Sequence, residues 1–195
     1  MSDVFTGLIS IALVNHLVLT QMLGLEAWFA SPAGLRRSAL FGLSVACLMI
    51  GSTLMTHAFL GVAGIVAGRE LSDGFALPLI AVVSTLLLMP LQWVLLRLVP
   101  GELPILRRSF PIIALNSAVM GTALLAVWHV TSVVNLIGFT LASAVGFVLF
   151  LLIFAAIQQR VSTQDVPAPF RGIPILLISA GIMSLAILAF EGVVP

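Results

Sequence analysis

Charged residues divide this chain into long apolar intervals. None falls between Val4 and Leu25, Ser38 and Gly68, Gly74 and Leu96, Ser109 and Gln159, or Gly172 and Phe190. A membrane-spanning helix takes about 20 apolar residues, so the interval from Ser109 holds two spans and each of the others one. That predicts six spans: from Val4 towards Phe29, 38–60, 75–98, 110 to about 129, 133–157 and 173–190. As one straight helix the first would be about 40 Å long, against an apolar bilayer core of about 30 Å, which points to a break near Gly24. The Gly-rich segment 61–74 reads as an external loop and 99–109, with Pro100, Gly101, Pro104 and an arginine pair, as a cytoplasmic connection. Pro78 and Pro90 mark kinks in the third span.

The few polar positions inside this pattern are the candidates for chemistry. Asn116 and Ser117 interrupt the apolar run 110–121, and the first span holds Asn15, His16, Gln21 and Glu26. Polar groups at bilayer depth are costly unless they face a cavity or a partner, so the Asn116-Ser117 pair is either a functional centre or a helix-packing contact. Glu26 sits either at membrane depth beside a broken helix or at the cytoplasmic surface near Arg36 and Arg37. The second span is rich in Gly, Ala and Ser, the composition that lets helices pack closely. His57 near its outer end reads as an interfacial side chain, and Cys47 as a small buried apolar one. Trp93 and Trp128 suit interfacial anchors.

The chain also echoes itself. Val14 to Leu19 partly matches Leu115 to Met120, while Leu40 to Ala46 aligns with Leu136 to Ala142 at an offset of 96 residues, as does Pro78 with Pro174. Three spans per half is an odd number, so the copies cross the membrane in opposite directions. The expected fold is all-α and integral to the membrane: a 3+3 inverted repeat of residues 1–98 and 110–195 joined by 99–109. The first span is broken near Gly24.

Composition agrees. The 195 residues are 61% hydrophobic and 8% charged, with a mean hydropathy of +1.26, too apolar for one soluble core. A net charge of +1 offers no nucleic-acid surface. No basic segment precedes the first interval, so it reads as a retained span rather than a signal peptide. There is no lysine, and of the arginines seven lie on the side of the loops after spans one, three and five, with only Arg69 opposite. The bias places both termini outside, in the periplasm of a Gram-negative cell. No Walker loop, dinucleotide fingerprint or Ser-His-Asp set is present, so the chain is not expected to be catalytic by itself.

The runs VNHLVLTQMLGLE, FPIIALNSAVMGTALL and, most specifically, the segment around DVPAPFRG at 165–172 resemble the RnfA/NqrE family of ion-translocating oxidoreductase subunits. The resemblance covers nearly the whole chain. It implies six spans in two inverted halves in the bacterial inner membrane, with the first and fourth spans broken or half-helices. The implied partners are a homologous subunit of opposite orientation (RnfE/NqrD-like) and other Rnf-type subunits, which carry the flavins and further iron–sulfur clusters. It also implies a [2Fe-2S] cluster between the paired subunits, with each giving two cysteines. At the matching positions this chain has Glu26 and Ser117, whose oxygens are poor substitutes for thiolates, so no cofactor is expected on this chain. Three readings follow: a subunit that has lost its half of the cluster; an altered metal centre of Glu26, Ser117 and His16; or a cluster-free scaffold binding an ion or solute through Glu26, Asn15, Ser117 and Gln21.

Overall fold

The computed structural model describes residues 23–31, 34–67, 74–99, 101, 103–130, 132–162 and 164–188. Every regular element among them is helical: α1 (Leu25–Ala30), α2 (Leu35–Ala67), α3 (Ala76–Leu98), α4 (Leu103–Ala114), α5 (Ser117–His129), α6 (Val133–Val161), a 3-10 turn (Ala168–Phe170) and α7 (Ile173–Leu188). Among these residues four segments are long and apolar enough to cross a membrane: Leu35–Ile65, Ala76–Leu95, Ser109–Trp128 and Val133–Val161. The third of them spans the end of α4 and most of α5. Helix α7, of 16 residues, is a shorter apolar helix. Most of the expected first span lies outside the described residues.

Helix α2 is the centre of the packing, most extensively against α6, then α5 and α3. Hydrocarbon gives helices no hydrophobic drive to associate, so close contact of small residues must do it. Glycines on α2 supply that contact. A Cβ on Gly42 would lie 2.7 Å from a Leu151 methyl on α6, and one on Gly51 would lie 3.1 Å from Leu87 on α3. The core they close contains Trp28, Phe41, Leu48, Met49, Ile113, Phe147, Leu151 and Phe154. Two buried hydroxyls beside it are back-bonded to their own helices: Ser44 donates to the Leu40 carbonyl and Thr140 to that of Leu136, both at 2.7 Å. These two bonds join residues that align at the 96-residue offset.

Three expectations need correction. The segment read as an external loop from Gly61 is helical to Ala67, because a bilayer tolerates glycine in helices that water would unravel. The connection 99–109 is helical from Leu103, with Pro104 in the first turn, where its missing N–H costs nothing. Cys47 is exposed on the outer face of α2. Two features fit as expected: Pro90 lies inside α3, and Trp93 near its end lies 3.8 Å beneath the Arg97 guanidinium, an arrangement suited to a headgroup boundary.

Leu151 seats against Gly42 and is fully buried. Leu151→Ala should therefore cost about 3 kcal/mol, read as a lower thermal-unfolding midpoint in detergent.

Candidate functional site at two helix breaks

The fourth span is broken into two helices. Helix α4 ends at Ala114 and α5 begins at Ser117. Between them Asn116 is extended (φ −66°, ψ 128°), and its Oδ1 accepts the Ala118 N–H at 2.7 Å. Such a cap satisfies one of the donors that a helix start leaves free. The first span is interrupted too. Gly24 takes a left-handed conformation (φ 84°) and α1 starts at Leu25. Only glycine enters that region without strain.

The two interruptions meet. Leu23 packs on Gly121, and a Cβ on Gly24 would lie 2.8 Å from that of Ala118 and 3.0 Å from the Phe147 ring. Across the contact each break supplies what the other lacks. The Ser117 backbone N–H and hydroxyl both donate to Glu26 Oε1, at 2.6 and 2.8 Å. The Gly24 N–H donates to Ser117 Oγ at 2.7 Å. Glu26 thus lies across the start of α5, where a helix dipole favours negative charge. Ser117 satisfies the entry to α1. Trp28 holds α1 in place from below, fully buried with its ring 5.0 Å from that of Phe154 on α6.

Of the residues singled out in the sequence, the structure brings Glu26 together with Asn116 and Ser117. It places Glu26 against the broken fourth span, and its described partner is Ser117 rather than Arg36 or Arg37. Asn15, His16 and Gln21 lie outside the described residues. His57, half-buried on α2, joins no group of candidate ligands among the described residues. Sequence reasoning did not assign Asn116 its capping role, although an Asn directly before an apolar helical run is the expected signal. It also left unremarked a cavity of about 400 Å³ lined by Gln158, Ser162, Gln164, Arg171 and others. There Arg171 Nε donates to the Val166 carbonyl at 2.7 Å.

A family model described as Rnf-Nqr subunit, membrane protein, matches residues 4–194. The chain belongs to the Rnf-Nqr family. Among Rnf-Nqr relatives, the A subunit of the ion-translocating oxidoreductase complex of Pseudoalteromonas atlantica is 36% identical, the alignment covering 100% of this chain and 99% of that protein. Proteins of the same name from Cereibacter sphaeroides and Vibrio vulnificus are 33% and 32% identical, with 100% of each chain covered. The chain is a multi-pass bacterial membrane protein of this Rnf-Nqr type.

The residues at the two breaks do not fit the [2Fe-2S] cluster that the family resemblance implies. Iron bridged by sulfide takes thiolates, and here the available atoms are a carboxylate oxygen that already accepts two bonds and a hydroxyl that both accepts and donates. The chain's one cysteine, Cys47, is on α2 and faces outward.

Gly24→Ala combines a disfavoured φ with a clash, and should lower stability by about 3 kcal/mol. Gly34 has φ 106° with open space around it, so Gly34→Ala should cost only the backbone part, about 1 kcal/mol. Unfolding midpoints of the two variants check the difference.

Proposed function

We propose that this chain is the A-type membrane component of an Rnf-like complex coupling electron transfer, between ferredoxin and NADH, to translocation of sodium or protons across the bacterial inner membrane. The observation that carries the reading is end-to-end similarity to proteins named as that component. In this reading the chain is an inverted repeat of residues 1–98 and 110–195, with a pseudo-twofold axis between α2 and α6. Three features support it: α2 and α6 make the largest helix contact, Ser44 and Thr140 make the same bond at aligned positions, and the broken first and fourth spans meet. Both termini are periplasmic, by the arginine bias.

The chain contributes no ligand to an intersubunit cluster. Flavins and iron–sulfur clusters reside on other subunits, and a homologous RnfE/NqrD-like subunit of opposite orientation lies alongside. The geometry disfavours a free-standing cation site at Glu26. The Ser117 backbone N–H and hydroxyl, not carbonyls, point at the carboxylate, and these donors at a helix start disfavour a metal ion there.

Affinity purification of the tagged chain from its own host, with partners identified by mass spectrometry, should recover an opposite-facing homologue together with flavin-bearing and ferredoxin-like subunits. A chain that purifies alone contradicts the reading. Orientation has its own check: Gln164→Cys in a Cys47→Ser background should react with an impermeant maleimide in inside-out vesicles and stay unlabelled in spheroplasts.

A further inference from the structure

The Glu26 carboxylate is half used. Oε1 accepts two bonds from Ser117, while Oε2 has no partner among the described residues and the side chain is exposed. The stretch that leads to Ser117 is apolar and exposed: Pro111 and Ile112 (37%) on α4, and Leu115 (57%) in the break after it.

The depth of this oxygen makes it informative. Ser117 belongs to the span Ser109–Trp128, which at helical rise places it about 12 Å from one end and about 16 Å from the other. Glu26, bonded to it, is at the same level. An acid facing lipid tails there is costly, and intramembrane acids are found facing a protein interior or a partner group. No such group comes from the described part of this chain, and the Ser117 N–H and hydroxyl at the start of α5 disfavour a bare cation.

We infer that Glu26 is a docking residue, and that Oε2 accepts a hydrogen bond from an N–H donor side chain (guanidinium, ammonium or amide) on the neighbouring membrane subunit. This rests on the proposed function, which puts such a neighbour on this face. Where the resemblance implies that iron joins two subunits, a charge-assisted hydrogen bond joins them here. On this inference the exposed Pro111, Ile112 and Leu115, on the stretch leading to Ser117, supply the apolar rim of the contact.

The variant Glu26→Gln separates the two oxygens. Gln keeps an acceptor for Ser117 and sets an NH2 where the partner's donor points. The tagged assembly is purified through graded detergent washes and the neighbouring subunit is quantified per tagged chain. Glu26→Gln should lower the unfolding midpoint of the isolated chain much less than Glu26→Ala does, and hold the neighbour about tenfold more weakly than wild type. Retention equal to wild type in both Glu26→Gln and Glu26→Ala overturns the inference while leaving the function standing. A wild-type chain that retains no membrane subunit overturns the function, and this inference with it. A second measurement leaves Glu26 untouched: a photoreactive benzophenone side chain in place of Leu115 should crosslink to the neighbouring subunit, and crosslinks to lipid alone in the intact assembly contradict the docking face.

Discussion

A carboxylate laid across the start of an interrupted helix governs this architecture. Breaking a helix inside a bilayer frees backbone N–H groups where no water can satisfy them, at a cost of several kcal/mol each. Two such breaks in one chain would be prohibitive if each had to be satisfied alone. Here they satisfy each other, with Glu26 reaching from the first to the N–H of Ser117 and Ser117 reaching back to the N–H of Gly24. Asn116 caps the next donor of α5, the N–H of Ala118. The close packing of Gly24 and Gly121 against neighbouring side chains is what permits this reach.

The same arrangement shows what a carboxylate does at a helix start. A helix start with a converging dipole stabilises negative charge of any origin. In this chain the charge is built in, carried by a side chain whose oxygen is short enough to bond the backbone directly. On the proposed function, the carboxylate meets the electrostatic requirement that the thiolate-bound cluster implied by the family resemblance would meet. The scaffold around them need not change, which accords with a chain whose similarity to its relatives runs its full length.

Much of this was legible in the residues. Charges bracket the apolar intervals, so α3 and α6 fall within a few residues of their expected limits. The excess length of the first span pointed to the break at Gly24. What could not be read is equally physical. Glycines after Leu60 resemble a soluble loop, and only the membrane setting keeps them helical. The face on which Cys47 lies cannot be told from α2 alone, since that helix is apolar all round and no periodicity marks its inner side. The partnership of Glu26 with Ser117, 91 residues apart, depends on how two breaks align in space. No local pattern carries that information.

A double-mutant cycle on the two residues tests the central claim most directly. Glu26→Ala, Ser117→Ala and the double variant are unfolded in detergent and the coupling energy is taken from their stabilities. If the two breaks hold each other, the coupling is about 2 kcal/mol. Additive effects, with no coupling beyond error, would mean that the carboxylate and the helix start do not meet in the membrane.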